Sequence, residues 1–241
     1  MRLSEQRDKT SPVTALVVVA LLLWLALVVF LGAHGGFSRA PGAWPFPILI
    51  GVTVPLLVFL AIFRVSRTFQ LFVLTVDLRL VTGIQAWRFV GLGFLALYTY
   101  GVLPGRFAWP AGLGDMAIGL TAPWLVLALI RLPAFAAGRL FVLWNLVGIL
   151  DLIVAVSMGA IVSGLTTSAD GEITTAPMAQ LPLVLIPALA VPFFVMLHLT
   201  ALWQARRLTA LGGSGIQTSP GAEGDYSSAQ TMNFGSGPQR G

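Results

Sequence analysis

Six long apolar segments, separated by short polar connections, constrain this chain more than any other feature of its 241 residues. A helix rises about 1.5 Å per residue, so about 20 apolar residues cross about 30 Å of hydrocarbon. The stretches that qualify are 13–31, 46–63, 84–103, 110–130, 140–162 and 181–203. With 57% hydrophobic and 10% charged residues, a chain of this length cannot hide its apolar surface in a water-soluble core. The strands of a membrane barrel would alternate polar and apolar over ten-residue stretches, and no such pattern is present. The expected fold is all-α: a polytopic transmembrane bundle of six spans over residues 1–207.

The connections set an orientation. Twelve of the fourteen Lys and Arg residues fall on one side: Arg2, Arg7 and Lys9; Arg64, Arg67, Arg79 and Arg88; Arg131 and Arg139; and Arg206, Arg207 and Arg240. Arg39 and Arg106 fall on the other, with Asp170 and Glu172. The positive-inside rule then places both termini in the cytoplasm. The first apolar stretch is longer than the core of a secretory signal and lacks a clean small-x-small cleavage site, so it reads as an uncleaved anchor. The net charge of +5 reflects topology and attraction to anionic lipid. No basic groove interleaved with aromatics suggests nucleic acid. Without cysteine there is no disulfide, no thiolate metal site and no covalent c-type haem. The sequence implies no cofactor, and His34 and His198 lie at opposite faces, which rules out paired axial haem ligation.

Three connections stand apart. Residues 68–83 alternate Leu74, Val76, Leu78 and Leu80 with Thr75, Asp77 and Arg79, an interfacial pattern. Residues 163–180 are polar and acidic. Residues 208–241 are rich in Gly and Ser without apolar period and are expected to form a disordered cytoplasmic tail.

Two spans share a pattern. Ala43-Trp44-Pro45 precedes Gly51-x-Thr53-x-Pro55, and Ala108-Trp109-Pro110 precedes Gly119-x-Thr121-x-Pro123. In each copy glycine stands four residues before proline, where the ring meets the preceding turn, and threonine can take up a freed backbone group. The repeat suggests helical hairpins of common origin, each with a kinked helix.

Polar residues inside apolar spans cost about 2.5–3.5 kcal/mol when charged and usually mark function or an internal pair. The candidates are Arg88, Asp115, Asp151 and His198, with Gln85, Tyr98, Tyr100, Asn145 and Gln204 as uncharged company; of these Tyr98 and Asn145 join the expected site. From the span boundaries above, Asp151 lies near the midplane, Asp115 near the outer third beside Tyr98, and Arg88, Asn145 and His198 in the cytoplasmic third. Arg88 is then about 20 Å from the level of Asp115 and free to reach the headgroups, so Asp115 is expected to rely on Tyr98. Asp115, Gly119 and Ala122 share one helical stripe, and Asp151 shares a face with Gly148 and Ala155; both stripes should face protein.

Gly112-x-Gly114-Asp115, Pro187-Ala188-Leu189 and a second intramembrane aspartate resemble the signature of presenilin-type intramembrane aspartyl proteases. That family places its other aspartate earlier in the chain, after a tyrosine, whereas Asp151 comes later and follows Leu150. A second resemblance covers more of the chain. Gln85-Ala86-Trp87-Arg88, Gly91, Phe94-Leu95, Leu103-Pro104, Pro110-Ala111-Gly112-x-Gly114-Asp115 and Ala122-Pro123 resemble an uncharacterised family of small bacterial inner-membrane proteins. It implies that location and membership of Asp115 in the family pattern, and it supplies no activity. The sequence therefore favours a small-solute or proton-linked carrier. The alternatives are a non-catalytic membrane subunit bound to a partner or to copies of itself and, third, the protease. No residue presents itself as catalytic and none as a metal ligand.

Overall fold

The computed structural model describes residues 2–40, 43–165 and 172–214. Eight α-helices and no strand occur among them: α1 (Arg2–Ala33), α2 (Phe46–Val65), α3 (Arg67–Thr75), α4 (Leu78–Ile84), α5 (Leu92–Thr99), α6 (Gly105–Arg131), α7 (Arg139–Leu165) and α8 (Val191–Ser214). A 3-10 segment, Gln85–Gly91, fuses α4 to α5, and a π segment, Ile186–Ala190, leads into α8. Six of the resulting helical units are long and apolar enough to cross a membrane, as the sequence suggested.

Local chemistry sets the boundaries. Ser66 ends α2 and caps α3, its hydroxyl accepting from the Phe69 amide at 3.2 Å. Asp77 caps α4 by accepting from the Arg79 amide at 2.8 Å. That cap starts the third apolar unit at Leu78, so residues 78–83 are part of a long helix; only α3 remains a separate amphipathic piece. Pro104 immediately precedes α6, which therefore begins five residues before the expected Pro110. Pro192 has no N–H to offer the Ala188 carbonyl one turn back, and the backbone there widens to π geometry. The last unit thus runs Ile186–Ala210, later than expected. Continuing to Ser214, α8 includes the first seven residues of the expected tail; residues 215–241 lie outside the described ones, as do 166–171 of the acidic connection.

The helices alternate in direction, so Val65, Leu78, Arg131, Arg139 and Ser214 gather at one end, here the basic end. Two apolar layers divide the interior. Toward the opposite end Phe94, Leu103, Phe107, Ala108, Ala111, Ala155 and Met178 pack together. Toward the basic end lie Val81, Leu129, Phe141, Ala201 and Ala205. Between the two layers the interior is polar. At the side, Val28 and Phe37 join Val184 and Ala188, fastening α1 to the π segment, and Val52, Leu152 and Val191 hold α2.

Both Gly-x-Thr-x-Pro helices continue through their prolines. Thr53 and Thr121 each donate to the carbonyl four residues back, Leu49 and Ala117, and not to the carbonyl the proline leaves free. A Cβ at Gly51 would sit 3.3 Å from Ala188 of the π segment, whereas one at Gly119 would strike the Arg88–Phe89 backbone. The two copies share local chemistry but face different neighbours: the sixth span in one case, the third in the other.

Candidate functional site

Arg88 organises the polar layer. Its side chain is fully enclosed, with 0% exposure. The 3-10 segment carries it, and in such a segment side chains three apart eclipse. Burial follows that period: Thr82, Gln85, Arg88, Gly91 and Phe94 are all buried. A straight α-helix would have spread these positions around its surface, turning some of them outward.

The guanidinium holds three other helices. Its Nε donates to Asp115 Oδ1 of α6 at 2.7 Å, and Nη2 donates to Asp151 Oδ2 of α7. These two donors lie on one edge of the guanidinium, a fork that a single carboxylate can take bidentately. Here the fork is divided, so two carboxylates from different helices stand side by side. Nη1 donates to the Gly148 carbonyl of α7 and to His198 Nε2 of α8, each at 3.2 Å. Phe194 lies with its ring centroid 6.0 Å from the guanidinium carbon.

Behind Arg88 a second set of contacts fixes the imidazole. Asn145 Nδ2 donates to the Phe141 carbonyl at 2.8 Å, leaving Oδ1 to accept from His198 Nδ1 at 2.9 Å. His198 then carries its proton on Nδ1, and Nε2 accepts from Arg88. The Trp144 ring stands edge-on to His198 at 5.4 Å, and its Nε1 donates to Thr121 Oγ1 at 2.8 Å. The role of each group is thus geometric: Asn145 orients His198, which helps orient Arg88.

Glycine makes the convergence possible. A Cβ on Gly114 would fall on Asp151 Oδ1, on Gly91 on Asp115 Cβ, and on Gly148 on the His198 ring. At Gly112 it would come within 3.0 Å of the Gly91 carbonyl. The Gly-x-Gly-Asp run therefore has a packing cause: its first glycine admits the third span's backbone and its second admits the carboxylate of Asp151.

Five of the six expected residues come together: Arg88, Asp115, Asp151, Asn145 and His198. Tyr98 does not. Its ring packs against Gly105 and edge-on to Trp109 at 6.1 Å, positions about 15 and about 9 Å along α6 from Asp115. The expected depths also change. Arg88 lies ten residues inside a unit starting at Leu78, and Asp115 ten residues inside one starting at Gly105, which places each about 15 Å deep. Arg88 therefore pairs with the aspartates and does not reach for the headgroups. Gln85, an uncharged polar residue of the third span left out of the expected site, donates from Nε2 to the Phe194 carbonyl at 3.2 Å. The spacing of three from Thr82 through Gln85 to Arg88 was the available signal.

The cluster carries two carboxylates and one guanidinium, and it is not sealed on every side: the side chains of Asp115 and Asp151 keep 14% and 12% exposure. Among the described residues no group of three or more His, Asp or Glu could hold a metal ion.

Residues 45–206 match the model of a family described as a domain of unknown function, DUF8737, and the chain belongs to that family. The match opens at the start of α2 and closes within α8, enclosing every helix of the cluster and leaving α1 outside. No curated protein and no solved structure matches the chain.

Proposed function

We propose that this is a multi-pass protein of a bacterial inner membrane, both termini cytoplasmic, that carries a small solute or protons through the polar layer around Arg88. The divided fork carries this reading. One guanidinium faces two carboxylates, so the cluster holds one surplus negative charge between two apolar layers. An uncompensated charge inside an apolar bundle is costly, and a proton or a cationic solute at the carboxylates offsets it. Arrival of that charge weakens the hold of one aspartate on Arg88, and with it a tie between the third span and α6 (Asp115) or α7 (Asp151). Irregular helical segments flanking a mid-depth site, here the 3-10 segment Gln85–Gly91 and the π segment Ile186–Ala190, are recurrent parts of transporters.

Proteoliposomes under an imposed pH gradient, assayed against panels of amino acids, sugars and carboxylic acids, test it. The reading requires accumulation of at least one solute, lost in Asp115→Asn and Asp151→Asn proteins that remain folded. The second reading, a non-catalytic membrane subunit, draws on the enclosure of Arg88: a guanidinium bound by three partner helices serves equally as a fastener. No uptake by the unmodified protein, with both substitutions causing misfolding, would favour it.

A further inference from the structure

Two buried oxygens beside the cluster have no protein partner. They are Gln85 Oε1, one eclipsed position from Arg88, and Thr82 Oγ1, one turn further toward the basic end. Both residues are 1% exposed. A buried polar atom left unpaired costs about 1–3 kcal/mol, so two in succession on one face call for a ligand that accepts and donates hydrogen bonds in a narrow space. Water is that ligand. The neighbouring groups of α8 do not serve: Gln204 spends its amide on the carbonyls of Val73 and Val76, each at 2.9 Å, and Thr200 donates to Met196 O at 2.8 Å.

The other side of Arg88 differs. Along the same period-three face come Gly91 and Phe94, and Phe94 enters the layer formed with Leu103, Phe107 and Met178. The buried polar side chains described toward that end, Ser163 and Thr175, lie beyond it: Ser163 is twelve residues, about 18 Å, along α7 from Asp151. The buried oxygens that directly adjoin Arg88 along its period-three face therefore lie on the basic side.

We propose that Thr82 and Gln85 hold a file of water joining the Arg88 cluster to the basic end, while the Phe94–Leu103–Phe107 layer seals the cluster from the opposite end. In the conformation described both oxygens are enclosed, with Val81, Leu129 and Phe141 between them and the basic end, so the file is reached from that side as this layer gives. This deepens the carrier reading by naming the side from which its site is reached, though the hydration itself does not require transport.

The chain has no cysteine, so single-cysteine variants of the full-length protein report directly. Membrane vesicles of both orientations are treated with a small, charged, membrane-impermeant methanethiosulfonate. Leu132→Cys, 62% exposed at the basic end, and Tyr100→Cys, 83% exposed at the opposite end, show which face the reagent meets. Thr82→Cys should react from the Leu132 side, and from that side only, roughly tenfold or more faster than Leu103→Cys, since thiol reactivity follows access to solvent. Reaction as slow as Leu103→Cys from both sides, or reaction from the Tyr100 side, overturns the proposal. Thr82→Val and Gln85→Leu give a second readout. If water occupies the track, each loses hydrogen bonds and melts lower; a rise in melting temperature means a dry track and also overturns it. Failure of the carrier reading, seen as solute uptake unaffected by Asp151→Asn, leaves these rates unchanged, so the two fail separately.

Discussion

Arg88 has four of its five N–H groups engaged, and each engagement reaches a different helix or a different part of α7. Removing it strands two carboxylates. Arg88→Gln is expected to destabilise the protein by about 3–5 kcal/mol, read as a loss of melting temperature, because a buried charge without its partner costs more than the pair contributes. Arg88→Lys should not restore it: an ammonium is a point charge and lacks the planar fork that two aspartates divide. The glycines give an independent check. Gly114→Ala places a methyl on the Asp151 carboxylate and should cost about 1–3 kcal/mol or more, whereas Gly93→Ala meets nothing within 4 Å and should be neutral or slightly stabilising. Equal melting of the two variants would show that the close approach at Gly114 contributes nothing to stability.

The elements show what the sequence could and could not reveal. Apolar length alone located all six long units, and the facing stripes through Asp115 and Asp151 were legible because small residues recur beside each aspartate. The depth of Arg88 was not. Charged Asp77 and Arg79 made residues 78–83 look interfacial, yet Asp77 acts as a cap and the span begins directly after it. Reading Gln85–Gly91 as ordinary α-helix also hid the spacing of three that aligns Thr82, Gln85 and Arg88. Tyr98 was misplaced through the same boundary shift, since α6 starts at Gly105 and not at Pro110. At this scale Gln204 ties α8 to the end of α3. Gln204→Leu should leave the carbonyls of Val73 and Val76 without that donor and speed hydrogen exchange across α3 while sparing α6 and α7. Unchanged exchange in α3 would mean that packing alone retains it.

The whole molecule places one polar layer between two apolar ones, crossed by α4 with its 3-10 segment, α6, α7 and α8. The twelve-to-two division of basic residues predicts that reporter fusions at Ala169 are active only as exported reporters; activity as a cytoplasmic reporter would overturn the six-span topology. Truncation after Ser214 should leave insertion and melting temperature unchanged, since the Gly- and Ser-rich sequence beyond it has little apolar surface to bury. Everything proposed for function turns on the surplus charge at the divided fork. Carboxyl infrared difference spectra of the full-length protein across about pH 5–9, with Asp115→Asn and Asp151→Asn for assignment, measure it most directly. The expected result is a protonation change of one carboxyl that disappears in one of the two variants. Spectra flat across that window in the unmodified protein would contradict a proton-linked site and leave Arg88, Asp115 and Asp151 as a fastener of four helices.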